Sequence, residues 1–295
     1  MVIPMVSQIL GAVINIILDP ILIYGTVFGI RFCEPMGIKG AAIATVIGQI
    51  CALIYVIVRF FAKEHVVSLN LKEFKFSRII LFGILIVGIP AAISQGIMSV
   101  MIVGFNKILS GISIAAITAL GAYFKLNSMV FMPIIGFGAG IMPIAGYNYG
   151  AKNKKRFKQT VKTGAAYAMC VGVVGAALFI IIPEKLLGIF SLSDEVVRIG
   201  VIAFRILGSM FPIISITIIL NSSMQAIGKA TISMISNIMR GIAILLPLAY
   251  IFVKYFGVDN SWYASPIAEV ASLVYLSVHF RKVLKNWDES KLKEL

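Results

Sequence analysis

Charged residues, cysteines and histidines are scarce in this chain of 295 residues. Only 13% of the residues are charged, roughly half of the share that is usual in a soluble domain, whereas 60% are apolar. The three cysteines form no CxxC pair and there are two histidines, so neither a disulfide framework nor a zinc site is expected. The sequence contains no P-loop, GxSxG or HExxH motif. These absences argue against a soluble fold, and we predict that the chain is not an enzyme.

Long apolar runs fill most of the sequence instead. A membrane-spanning helix needs ~20 mostly apolar residues, which leaves room here for about eight such helices. We therefore predict an all-α polytopic membrane protein with about eight transmembrane helices. The predicted spans are residues 3–24, 37–58, 79–109, 112–147, 163–182, 196–219, 232–256 and 263–280.

The basic residues are concentrated in every second connection between these spans. Lysine and arginine number 26 against 12 acidic residues, a net charge of +14, and 17 of the 26 lie in alternate connections. Basic loops are retained on the cytoplasmic side, so this asymmetry predicts a multi-pass protein of the cell membrane with both termini cytoplasmic. The charge is then a topology signal and not a sign of nucleic-acid binding. Met1 has no basic flank, and we expect the chain to begin within a longer sequence.

Several motifs follow one another in a specific order. They are Asn15–Tyr24 with Gly37–Thr45, then Met132–Ala151, then Pro183–Phe190 with Asp194–Val197 and Gln225–Lys229. Together they resemble the multidrug and toxic-compound extrusion (MATE) family of secondary transporters, and the resemblance covers the whole chain. It implies a twelve-helix fold in two six-helix lobes, of which this chain would contain spans five to twelve. The four missing N-terminal helices would then be lost, or be supplied by another chain.

The same resemblance divides the chain into four parts. Residues 1–58 would be the last two helices of the N-terminal lobe, and residues 59–78 the cytoplasmic inter-lobe connection. Residues 79–285 would form the six-helix C-terminal lobe, followed by a cytoplasmic tail at 286–295. Within the spans, small-residue runs at 136–140 and 172–175 predict that helix backbones approach closely there.

Asp19 is the strongest candidate for an ion site. Asn15 and Asp19 are four residues apart and share one helix face, and Pro20 leaves the carbonyl of Ile16 without its usual donor. These oxygens suit Na⁺, whereas the carboxylate alone suits a proton. The alternative is a solvated helix-breaking Asp-Pro pair near the outer surface. The resemblance implies a cation or proton site at Asn15, Asp19 and Thr45, with Na⁺ or H⁺ as coupling ion and no other cofactor or metal.

The candidate substrate-binding residues are Gln95, Met98, Lys125, Met132 and Glu269. Methionine side chains adapt to varied ligands, which suits a cavity for flat drugs. Glu269 either lines the substrate path or pairs with one of the basic residues inside spans, which are Lys125, Arg205 and Arg240. Some relatives carry an acid in the third span, where this chain has Gln95–Met98. The difference favours coupling through the first lobe, as in the DinF-like branch of the family.

The sequence thus predicts an antiporter that exports drugs or other toxic, mostly cationic, organic compounds in exchange for Na⁺ or H⁺. Its partners would be these small molecules and membrane lipid, and not nucleic acid. One alternative is a non-transporting fragment or a partial subunit of such a transporter. Another is a flippase of lipid-linked oligosaccharides from the same superfamily, which the small number of basic residues inside spans disfavours.

Overall fold

The computed structural model describes residues 2–27, 30, 31, 33–62, 76–110 and 113–287. Much of the predicted inter-lobe connection, residues 63–75, lies outside the described residues. Met1 and residues 288–295, most of the predicted tail, also lie outside them.

Helices account for nearly all of the described structure. In chain order the elements are α1 Val2–Tyr24, β1 Thr26–Val27, β2 Ile30–Arg31, α2 Ile38–Phe61, α3 Arg78–Ser110, α4 Ile114–Gly150, α5 Lys154–Ile181, α6 Pro183–Gly188, α7 Asp194–Gly208, α8 Phe211–Ala226, α9 Ala230–Ile238, a π segment Met239–Ile244, α10 Leu245–Phe256, α11 Val258–Ser261 and α12 Ala264–Lys285. The two short strands pair antiparallel in one small hairpin. The predicted all-α architecture is confirmed.

Six of the described helical segments are long and apolar enough to cross a membrane. They are α1, α2, α3, α4, α5 and the continuous run Ala230–Phe256. The pair α7 and α8 would make a seventh span, bent by 49°. The eighth predicted span coincides with α12, but α12 is not among the segments that qualify, because Glu269, His279 and its basic end lower its hydropathy.

The contacts divide the chain into two compact units, Met1–Phe76 and Ser77–Leu295. In the first unit, α1 packs along α2. Gly40 is buried against the carbonyl oxygen of Leu22, and a Cβ at Gly48 would lie 2.7 Å from the carbonyl oxygen of Gly11. The two backbones therefore approach closely because glycines stand at their contacts.

The second unit is built around aromatic side chains from α4, α5, α7 and α8. The ring of Phe179 lies 4.9 Å from the rings of both Phe204 and Phe211, and the ring of Tyr123 lies 6.0 Å from that of Phe204. All four side chains are buried. Around this core, α3 packs against α9, and α12 packs against α8 and the π segment.

Glycines determine how closely α5 and α8 approach. A Cβ at Gly172 would lie 2.9 Å from the carbonyl oxygen of Phe211, in agreement with the predicted close approach at 172–175. In the run at 136–140, one of the three glycines lies against another helix. A Cβ added at Gly136 or Gly140 would meet no atom of a neighbouring described helix within 4 Å, whereas one at Gly138 would lie 2.6 Å from Oγ of Ser222 on α8.

Two interruptions shape the second half of the chain. The predicted sixth span is divided after Gly208, where Pro212 opens α8 in its first turn and the helix axis bends by 49°. The predicted seventh span widens into a π segment, Met239–Ile244, between α9 and α10. Such segments expose backbone carbonyls and occur often at functional sites.

Several hydroxyl groups on the membrane helices donate to a carbonyl four residues earlier in the same helix. The pairs include Ser94 with Pro90, Thr118 with Ile114, Thr160 with Arg156, Ser215 with Phe211, Thr217 with Ile213, and Ser223 with Ile219. A hydroxyl bonded in this way needs no partner from another helix.

Candidate functional site

The first polar cluster lies in the first unit, on facing turns of α1 and α2. Asn15 and Asp19 lie one helical turn apart on α1, as their spacing predicts. Pro20 lies inside the same helix and has no N–H group, so the carbonyl of Ile16 lacks its usual intrahelical donor. Thr45 reaches the cluster from α2.

The amide of Asn15 joins the other two side chains. Its Nδ2 donates to Oδ1 of Asp19 at 3.4 Å and to Oγ1 of Thr45 at 3.3 Å. With the amide turned over, Nδ2 donates to Oδ2 of Asp19 at 3.2 Å and Oδ1 accepts from the backbone N–H of Thr45 at 3.2 Å. In both orientations, the structure brings together the three residues of the predicted cation site.

The cluster contains one carboxylate and several neutral oxygens. Asn15 and Asp19 are half-buried in the first unit, and Thr45 is exposed, so the oxygens are accessible. Among the described residues, no group of three or more histidine, cysteine or acidic side chains is placed to hold a metal ion. The chemistry of this oxygen set therefore suits a single Na⁺ or a proton and not a transition metal.

The predicted substrate residues differ in how far they are exposed. Gln95 and Met98 on α3, and Lys125 and Met132 on α4, are exposed, and Met132 has 71% of its surface accessible. Glu269 on α12 is buried, with 5% accessible.

Glu269 forms a buried ion pair with Arg240 of the π segment. Nη1 of Arg240 donates to Oε1 of Glu269 at 3.0 Å. Of the three basic residues that the sequence offered as partners, Lys125 and Arg205 are exposed, and Arg240 is the partner in the structure.

A polar contact that sequence reasoning missed lies beside this pair. Ser236 and Ser272 hydrogen bond to each other at 2.7 Å, and the Ser233 hydroxyl donates to the carbonyl of Asn221 at 2.9 Å. Ser236 precedes Arg240 by four residues, and Ser272 follows Glu269 by three. These spacings place the serines on the same helix faces as the ion pair, a signal present in the sequence.

Long apolar helices, a polar cluster within α1 and α2, and a buried charge pair together define an α-helical integral membrane protein. The MatE family model matches residues 90–251, more than half of the chain. The chain therefore belongs to the MatE family. This family is one of membrane transporters and not of enzymes.

Similar proteins include multidrug exporters. The chain is 30% identical over 272 residues to Multidrug export protein MepA of Staphylococcus aureus (strain MSSA476), covering 90% of this chain and 57% of that protein. It is 26% identical over 298 residues to MepA of Staphylococcus saprophyticus, covering 99% of this chain and 63% of that protein. The chain thus spans about three fifths of the length of these relatives.

Solved structures share the fold. A crystal structure of MATE in the straight conformation matches with a TM-score of 0.85 and 23% identity, covering 99% of this chain and 63% of that one. A MOP superfamily transporter from Pyrococcus furiosus matches with a TM-score of 0.85 and 23% identity, covering 96% and 62%. Both likenesses support the helical transporter fold.

Proposed function

We propose that this chain takes part in the export of drugs or other toxic, mostly cationic, organic compounds, driven by the entry of Na⁺ or H⁺. The observation that carries the proposal is the cluster of Asn15, Asp19 and Thr45 inside two apolar helices of a MatE family chain. A carboxylate in a membrane helix is costly and marks an ion pathway or relay. The similarity to MepA, which is named as a multidrug exporter, supports drugs as the substrate class.

Coupling in this proposal takes place in the first unit. Asp19 would bind the ion, with the oxygens of Asn15 and Thr45 as further ligands if the ion is Na⁺. The segment Gln95–Met98 of α3 contains no acid, which supports the first unit as the coupling site and agrees with a DinF-like chain. The exposed side chains of Gln95, Met98, Lys125 and Met132 would contact the drug. Glu269 would reach it only after its pair with Arg240 opened.

The proposed orientation places both termini on the cytoplasmic side of the cell membrane. The ring of Phe157, near the start of α5, packs 6.0 Å from that of Phe280 and 5.3 Å from that of Trp287, near the end of α12. The basic residues that open α5 and those that close α12 therefore lie at one end of the second unit. Lys107 and Lys254 belong to the few basic residues on the other side of the predicted spans, and both line one cleft. The grouping of the basic ends of α5 and α12 supports the orientation.

The test measures the efflux of a fluorescent organic cation, such as ethidium, from cells that lack their own drug exporters. The chain spans about three fifths of the length of its relatives, so two forms are assayed. One is the chain alone, and the other is the chain joined to the part of S. aureus MepA that has no counterpart in it. We expect efflux that collapses when the Na⁺ or H⁺ gradient is removed. Absence of efflux from both forms would contradict the proposed transport.

The role of Asp19 is tested in the form that exports. Asp19→Asn keeps the size of the side chain and its contact with Asn15 but removes the negative charge, so we expect at least a tenfold loss of gradient-driven efflux, equivalent to about 1.4 kcal/mol. Asp259→Asn is the matched control, because Asp259 lies in an exposed pair with Arg198. Undiminished efflux by Asp19→Asn would exclude Asp19 as the coupling residue.

A further inference from the structure

The ion pair between Arg240 and Glu269 leaves one polar atom of each partner unmatched. Oε2 of Glu269 and Nε of Arg240 are buried and have no hydrogen-bond partner among the described residues. Buried polar groups in proteins are nearly always hydrogen bonded, so an unmatched acceptor beside an unmatched donor indicates that the pair has a second arrangement or binds a further group.

The two side chains differ in how far they are enclosed. The side chain of Glu269 is 7% exposed and that of Arg240 is 24% exposed. Glu269 is also the one buried carboxyl side chain among the residues that the structure describes. A buried carboxylate is stable only while a cation faces it, whereas a long arginine side chain at a partly open position can direct its guanidinium outward.

Few other ionisable groups act on Glu269. The buried Tyr123 of α4 is close enough for electrostatic interaction with both Glu269 and Arg240. All titratable side chains of α7 and α10 are exposed, and α8 and α9 contain none. On α12 itself, Tyr275 and His279 lie on later turns and His279 contacts the carbonyl of Tyr275. Arg240 is therefore the main countercharge of Glu269.

The charge pair can open while the helices around it stay together. The hydrogen bond between Ser236 and Ser272 joins α9 to α12 one turn away and keeps their register. Arg240 lies in the π segment, a rare form of helical turn that occurs often at functional sites. The charge pair can thus separate while the neighbouring contact holds.

We propose that Glu269 is a proton-binding site of the second unit, and that the arriving proton replaces Arg240 as its counterion. A proton from water binds the carboxylate, the carboxyl group becomes neutral, and the guanidinium turns towards the exposed side. This site is separate from the one at Asp19. It would add a second proton-sensitive element to the proposed transporter, but its chemistry does not depend on transport.

The test is infrared difference spectroscopy of the purified full chain in lipid nanodiscs, titrated between about pH 5 and pH 8, where proteins are usually most stable. Protonation of Glu269 gives a carboxylic acid carbonyl band that grows as the pH falls. We expect Glu269→Gln to lack this band and Asp19→Asn to retain it. A titration of Glu269→Gln identical to that of the unmodified chain would overturn the proposal.

Arg240→Met provides a second measurement that does not require Glu269 to be replaced. Removing the cation makes the charged carboxylate less favourable, so the pH at which half of the band has appeared should rise by about 1 to 3. An unchanged midpoint would overturn the role of Arg240. If the band titrates normally in a chain that exports nothing, the proposed transport is contradicted and the proposed site is not. If the chain exports but shows no band, the proposed site is contradicted and the transport is not.

Discussion

Gly172 is a position at which one added methyl group would meet the main chain of another helix. In Gly172→Ala the new Cβ would lie 2.9 Å from the carbonyl oxygen of Phe211 and against the hydroxyl of Ser215. Non-bonded heavy atoms attract at ~3.5–4.0 Å, so both contacts are repulsive. The serine can rotate, although it would lose its 2.7 Å hydrogen bond to Phe211, but the carbonyl cannot move without shifting α8.

The size of the effect follows from two opposing contributions. Overpacking costs about 1–3 kcal/mol, and the upper end applies here because the obstacle is backbone. Replacing glycine by alanine inside a helix contributes about 1 kcal/mol in the opposite direction. The net loss in free energy of unfolding should therefore be about 2 kcal/mol, roughly a thirtyfold change in the equilibrium constant.

Gly121→Ala is the matched control. Gly121 lies inside α4, and its Cβ would have no atom of another described residue within 4 Å. Only the gain from replacing glycine by alanine inside a helix remains, so this variant should be more stable than the unmodified chain by up to about 1 kcal/mol. Gly172→Ala combined with Ser215→Ala should recover part of the loss, because the hydroxyl contact is removed. The recovery should be incomplete, because the contact with the carbonyl of Phe211 persists.

The measurement is reversible unfolding in mixed detergent micelles, with sodium dodecyl sulfate as denaturant and far-ultraviolet circular dichroism as the signal. The two glycine variants should shift the transition in opposite directions. Equal shifts for Gly172→Ala and Gly121→Ala would refute the argument that backbone contact sets the spacing of α5 and α8.

Two further predictions use the same unfolding measurement. Arg240→Met leaves Glu269 buried without its cation and should lower the free energy of unfolding by about 3–5 kcal/mol. Adding Glu269→Leu to this variant should recover most of that loss. A double variant no more stable than Arg240→Met would show that the two residues are not coupled. Arg198→Ala breaks an exposed pair with Asp259 at 3.3 Å and should cost less than about 1 kcal/mol. A larger loss would mean that Arg198 stabilises the chain through contacts other than this pair.

Local spacing was enough to predict part of the candidate site. Asn15 and Asp19 share a face because four residues make about one helical turn, and the structure places their side chains in contact. Thr45 is thirty residues away and came from the family resemblance, since no local pattern relates one helix to another. For the same reason, the sequence left open whether Glu269 lines the substrate path or pairs with one of three basic residues.

Features that depend on neighbouring helices were harder to predict. An apolar run has the same composition whether its helix is straight or bent, so the break after Gly208 and the π segment at Met239–Ile244 left no clear hydropathy signal. The small-residue run at 136–140 indicates a close contact, but which glycine makes it depends on the helix face turned towards α8. Gly138 lies on that face, whereas Gly136 and Gly140, two positions away on either side, do not.

The hydroxyl groups bonded within their own helices have a consequence for biosynthesis. Lipid offers no hydrogen-bond partner, so Ser94, Thr118 and Thr160 are satisfied as soon as their helices form and enter the bilayer. Arg240 is different, because its carboxylate partner lies 29 residues later, on α12, and leaves the ribosome after it. The charge of Arg240 therefore has no carboxylate partner, beside the insertion machinery, until α12 has been synthesised.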